Sequence, residues 1–171
     1  MNITSEISKI EKTALNSKVI ESLGIKVINW LDLPKYENLQ DIGACILFIP
    51  VQSINNGHYV CMWINNGMLY YFCSYGYSIS KDVSKANYLI ETPEKDEDYL
   101  MNLINNFIRK GGKISINHTR YQGLNYDLST CGRYCIIRLL KKDLNHDQFK
   151  SWFNYKNIKP DDLVSLMTYI I

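Results

Sequence analysis

Three short segments carry residues able to do nucleophilic chemistry: GHYV at 57–60, YQGLN at 121–125 and STCGRYC at 129–135. Cys131 opens an apolar run, CGRYCIIRLLKK (131–142), that reads as a helix capped by Ser129 or Thr130. A thiol there meets unpaired backbone N–H groups and the positive end of the helix dipole, which should lower its pKa. Gly132 lets the backbone approach a substrate closely, and the N–H groups of Cys131 and Gly132 suit a developing oxyanion. A cysteine nucleophile also needs an oriented base. Of His58, His118 and His146, the first has the best local setting, in a β-rich stretch after Gly57. His118 falls near a strand end, and His146 opens a surface helix where it should be solvated.

The elements that must position these groups follow from periodicity and turn chemistry. Ile3, Ile7, Ile10 and Ala14 recur at helical spacing, and a second short helix runs from Ser17 to Leu23 with Gly24 as its stop. IKVINWLDLPKYENL gives a short strand and a turn at Pro34. ACILFIP (44–50), GHYVCMWI (57–64) and MLYYFCSYG (68–76) read as strands, and Asn65-Asn66-Gly67 between the last two marks a hairpin. Residues 93–110 read as a helix, with Thr92 as cap, Pro93 at the first position, and Leu100, Leu103, Ile104, Phe107 and Ile108 as the buried stripe. KISINHTRY (113–121) reads as a further strand. Asn145 with Gln148 resembles a capping box, and Pro160, Asp161 and Asp162 open a last helix through Leu163, Leu166, Met167 and Ile170. The order predicts an α+β fold, one domain over residues 1–171, with a mainly antiparallel central sheet packed by helices.

Bulk properties narrow the function classes. The chain has 171 residues and a net charge of +2, so charge gives no reason to expect nucleic-acid binding. No apolar run suits a membrane span or a signal peptide. Cys45, Cys61, Cys73, Cys131 and Cys135 are odd in number and lie in apolar segments, which argues for free thiols in a reducing intracellular compartment. Cys131 and Cys135 share one helix face, but with no CxxC pair anywhere they do not make a zinc set with His118 or His146. No metal and no cofactor is expected, and Cys135 reads as core packing.

The segment GHYVCMWINNGMLYYFCSYG resembles the hairpin of the adenovirus-type and ubiquitin-like-specific cysteine proteases, in which a Gly-His-Trp strand is followed by a strand ending in an acidic residue. YQGLNYDLSTCGRYC resembles the later segment of that family, where a Gln precedes the Cys-Gly pair that opens the central helix. SINHTRYQ followed eight residues later by CGRYC is most similar to the viral branch. The resemblance runs over about residues 26 to 153. It implies a papain-like core with His58 as general base, Cys131 as nucleophile, and Gln122 as amide donor to the oxyanion beside the Cys131 backbone N–H. Water then releases the thioester with His58 again as base.

Two positions depart from the family pattern. Cys73 stands where the acidic third member belongs, and a neutral thiol cannot stabilise an imidazolium as a carboxylate does. The readings are a Cys–His dyad with Cys73 as a weak orienting neighbour, which is favoured; orientation of His58 by Ser74; or a carboxylate supplied from elsewhere. Tyr59 replaces the usual Trp, an aromatic exchange. The functional expectation is a monomeric viral maturation endopeptidase, in the virion or host cytoplasm, that cleaves virion precursors near glycine. Its rivals are a protease of ubiquitin-like modifiers, an acyltransferase, and a non-catalytic binding module. Adenovirus proteases are stimulated by a peptide and by DNA, and the sequence identifies no counterpart of either.

Overall fold

A computed structural model describes residues 3–53, 56–87, 99–125, 128–154 and 157–169. Five strands form one sheet in the order β1-β2-β3-β4-β5: Val27–Asn29, Cys45–Ser53, Asn56–Asn65, Met68–Phe72 and Lys113–Ile116. The helices are α1 (Ile3–Lys12), α2 (Ser17–Ser22), α3 (Leu39–Ile42), α4 (Ile79–Asn87), α5 (Tyr99–Arg109), α6 (Cys131–Leu140), α7 (His146–Phe153) and α8 (Pro160–Met167), with a 3₁₀ turn at Trp30–Lys35.

The α+β class stands, but the sheet is mixed and not mainly antiparallel. β2, β3 and β4 are antiparallel, whereas β1 pairs with β2 and β4 with β5 in parallel. The reason lies in the connections. Between β1 and β2 the chain passes through the 3₁₀ turn and α3, and between β4 and β5 through α4 and α5. Such crossovers bring a chain back in its original direction. β5 is also shorter than KISINHTRY suggested, ending at Ile116, and β4 ends at Phe72 before Cys73. Thr92, Pro93 and Ile170 lie outside the described residues.

The β3–β4 hairpin closes through Asn66 and Gly67, both at positive φ (50° and 73°), the signature of a type I′ turn. Strand alternation then divides the core into two layers. Cys45, Leu47, Ile49, Val60, Met62, Leu69 and Tyr71 pack with Ile79 and Val83 of α4 and with Leu100, Leu103, Ile104 and Phe107 of α5, whereas Ile108, expected in that stripe, is exposed. Ile46, Tyr59, Cys61, Trp63 and Phe72 face α6, α7 and α8 on the other side. The sheet is thus covered on both faces. Among the described residues no helix is long and apolar enough to cross a membrane.

A buried arginine fastens the second layer. Arg138 donates to the carbonyls of Lys141 and Leu144, both at 2.7 Å, and its guanidinium lies 4.4 Å from the Trp63 ring centroid. It therefore satisfies carbonyls just past α6. His146 is not the solvated residue expected. It is half-buried against Trp63 and Tyr70, its Nε2 is 3.2 Å from the Ser115 carbonyl, and burial pulls its pKa down to about 4.

Gly57 fixes the end of β3 that carries His58. A Cβ there would sit 2.2 Å from the Ile49 carbonyl oxygen and 2.8 Å from Phe48 Cζ, so β2 leaves room for hydrogen only. Gly57→Ala is expected to lower unfolding free energy by about 1–3 kcal/mol in chemical denaturation, as overpacking does. A change within a few tenths would show that β2 yields freely there.

Candidate active site

His58 follows Gly57 on β3 and is buried at 6% exposure. Alternation directs its side chain to the face of Val60 and Met62, where its Nε2 lies 3.3 Å from Cys73 Sγ. Cys73 Sγ is in turn 3.6 Å from Asp82 Oδ1 on α4, and Tyr71 Oη donates to Asp82 Oδ2 at 2.9 Å. All three side chains, His58, Cys73 and Asp82, are buried. Cys73 thus occupies the place of the expected acid, and a carboxylate stands one atom behind it. Of the three readings of the third member, the favoured dyad with Cys73 beside His58 and the carboxylate from elsewhere both have a counterpart here. Burial and the Asp82 carboxylate push the Cys73 thiol far up, so it remains protonated and serves as a hydrogen-bonding bridge.

Ser74 does something else. Its hydroxyl donates to Gln122 Oε1 at 2.7 Å, and its carbonyl accepts the backbone N–H groups of Tyr121 (2.8 Å) and Gln122 (3.1 Å). The proposal that Ser74 orients His58 is therefore corrected: its side chain is committed to Gln122. With Oε1 held, the amide end of Gln122 is directed away from Ser74, and Nε2 lies 3.4 Å from the Leu128 carbonyl. Gln122 is itself buried, at 1% exposure.

Cys131 begins α6 as expected and is partly exposed. Burial pushes its thiol up, against the opposing pull of the backbone N–H groups of Tyr59, Gly132 and Cys131 itself. The direction is opposite to that inferred from a helix start alone, because the desolvation of the sulphur outweighs the favourable N–H groups. The N–H of Tyr59 belongs to the peptide that joins it to His58, so the thiol sits at the backbone of the candidate base. Tyr75 lies beside both groups. Its ring centroid is 5.0 Å from that of His58, and burial first, then the nearby Cys131, raises its hydroxyl pKa. Gly132 faces the Tyr59 ring, where an added Cβ would be 3.2 Å from Cδ2. Cys135 points into the core, 3.5 Å from the Tyr59 carbonyl.

Thr130 is the N-cap residue of α6 but makes no side-chain cap. Its hydroxyl donates instead to Asp161 Oδ1 at 2.7 Å. Thr130 therefore does not spend its hydroxyl on the first turn, whose Cys131 and Gly132 N–H groups stay directed at the Cys131 sulphur. Asp161 also accepts the Gly123 N–H at 2.9 Å and the Tyr134 hydroxyl at 3.2 Å. One carboxylate thus holds the residue after Gln122 and the residue before Cys131. Sequence reasoning placed Asp161 only among the residues that open the last helix. Its burial within Pro160-Asp161-Asp162 has no signal in spacing alone. Asp82 did leave one, since Ile79 and Val83 flank it at helical spacing and turn it toward the sheet.

Asp161→Ala would leave the Gly123 N–H and two hydroxyls without their acceptor. A loss of about 2–4 kcal/mol in denaturant unfolding is expected. A loss below about half a kcal/mol would mean that the loop is held by other contacts.

Comparison with known proteins adds a relative. The chain is 30% identical over 175 residues to the uncharacterized protein V9 of Sputnik virophage, across 95% of this chain and 98% of the relative. No family model matches the chain, and no solved structure does. At that identity and coverage, the chain belongs to the family of the virophage protein V9.

Proposed function

We propose that the protein is a cysteine endopeptidase of the adenovirus-protease type, with a papain-like arrangement of Cys131 and His58, acting on virion precursor proteins. The observation that carries this reading is the meeting of separate elements at one end of β3. The Cys131 thiol receives the N–H of Tyr59, the residue after His58, while Gln122 is anchored by Ser74 on the adjoining segment. The virophage relative supports the viral setting.

The steps follow from these placements. With Nε2 turned to Cys73, His58 takes the thiol proton through Nδ1 as Sγ attacks the scissile carbonyl carbon. A raised thiol pKa favours this concerted transfer over a resting thiolate–imidazolium pair. Gln122 Nε2 and the Cys131 N–H donate to the oxyanion. The C–N bond then breaks, and His58 returns its proton to the leaving amine. Water, deprotonated by His58, attacks the thioester and releases Cys131. The Cys73 bridge passes the field of Asp82 to the imidazolium, in place of a carboxylate in direct contact. The substrate class is a polypeptide with small residues, glycine foremost, before the cut. Stimulation by a peptide or by DNA belongs to the same resemblance, and no residue described here argues for either.

A second reading, a binding module on the same scaffold, is favoured by the raised thiol of Cys131 and the missing contact acid. Incubation of the purified chain with virophage capsid precursors separates the two, with products read by mass spectrometry. Discrete cleavage is expected from the wild type and none from Cys131→Ala. His58→Ala should be slower by about 10²–10⁴-fold and Gln122→Ala by about 10²–10³-fold. Binding of the precursors without cleavage, equal in wild type and Cys131→Ala, would instead establish the module.

A further inference from the structure

The His58, Cys73 and Asp82 side chains come from β3, the segment after β4, and α4, and their ligand atoms lie within 4.8 Å of one another. A tetrahedral Zn²⁺ ion, with bonds of about 2.0–2.3 Å to nitrogen, sulphur and oxygen, separates its ligand atoms by roughly 3.4–3.6 Å. Two of the separations match, 3.3 Å from His58 Nε2 to Cys73 Sγ and 3.6 Å from Cys73 Sγ to Asp82 Oδ1, and the His58–Asp82 pair lies within 4.8 Å, so the carboxylate has to close on the ion. We infer that His58 Nε2, Cys73 Sγ and Asp82 Oδ1 form a three-ligand Zn²⁺ site.

Charge and ligand chemistry agree with the geometry. A thiolate and a carboxylate together neutralise a divalent cation, so the loaded site carries no net charge, as a buried position requires. One thiolate and one imidazole select zinc over magnesium or calcium, which take oxygen ligands. Tyr71 donates to the other carboxylate oxygen, Asp82 Oδ2, at 2.9 Å, the outer contact that orients a ligating carboxylate. Binding must displace the Cys73 thiol proton, as at any cysteine ligand. The site differs from the Cys131–Cys135 set rejected from spacing, because its three members are brought together only by the fold.

The consequence for activity rests on the reading of His58 as base. An imidazole held by Zn²⁺ cannot become imidazolium, so zinc acts as a reversible inhibitor that sequesters the base. The exchange of an acid for Cys73 then has a chemical meaning: it turns the position beside the histidine into a soft metal ligand.

The test uses the full chain treated with chelator and titrated with Co²⁺, with Zn²⁺ as competitor. One Co²⁺ per chain is expected, with a thiolate-to-cobalt charge-transfer band that Zn²⁺ abolishes. The band should vanish in Cys73→Ser, persist in Cys131→Ser, and require about tenfold or more Co²⁺ in Asp82→Asn. Circular dichroism of each variant confirms that it is folded. No band in the wild type, or a band kept in Cys73→Ser and lost in Cys131→Ser, overturns the site. Alkylation of Cys131 by a peptide electrophile, run in parallel, keeps the two claims apart. Its protection by Zn²⁺ and recovery with chelator support inhibition. If the electrophile fails to react without zinc, the protease reading falls while the cobalt spectrum still decides the metal site.

Discussion

A single buried carboxylate, that of Asp161, sets the relation between Gln122 and Cys131. The two residues are joined by a stretch that belongs to no helix or strand among the described residues, and acceptors from other elements hold its two ends. Asp161 takes the N–H after Gln122 and the hydroxyl before Cys131, and Tyr134 joins from within α6. Ser74 completes the frame from the sheet side through its carbonyl and hydroxyl. Since Thr130 gives its hydroxyl to Asp161 and not to the helix it opens, the same contact keeps the first turn of α6 available to the sulphur. Positioning and electrostatics at Cys131 thus share one cause.

His58 and Cys131 belong to opposite faces of β3. The Cys131 thiol reaches the backbone of β3 near the start of that strand, at the peptide joining His58 to Tyr59. Gly57 lets β2 pass close enough to hold that end, and Gly132 lets α6 settle against Tyr59. Under the proposed function, this arrangement would pair a thiol raised by burial with His58 as base, and proton transfer would accompany attack on the substrate. The hydrogen-bonded chain from His58 through Cys73 to Asp82 places the carboxylate at a remove from the imidazole.

Much of this was legible in the sequence, because it is local. Asn66-Gly67 fixed the hairpin through two positive φ angles, and Asn145 with Gln148 does form the capping box, each side chain accepting the other's backbone N–H. The α6 start at Cys131 was equally plain from its apolar run. What stayed hidden is non-local. Parallel pairing of β1 and β5 depends on crossovers whose direction no periodicity records. The carboxylate of Asp161 looks like a solvated helix-start residue until α8 is docked. The pKa of Cys131 follows the same pattern: a helix start predicts a fall, and only packing against Tyr59 reveals the larger opposing effect of burial. His146 was misjudged for the same reason, since Trp63 and Tyr70 reach it from strands distant in sequence.

The central claim is that His58 activates Cys131, and the most direct measurement is covalent capture by a glycine-ended peptide vinyl methyl ester, with the adduct located by mass spectrometry. The account predicts one adduct, on Cys131, that forms about 10²-fold or more slowly in His58→Ala. An adduct spread over the five cysteines, or formed on Cys131 at the same rate without His58, would contradict it.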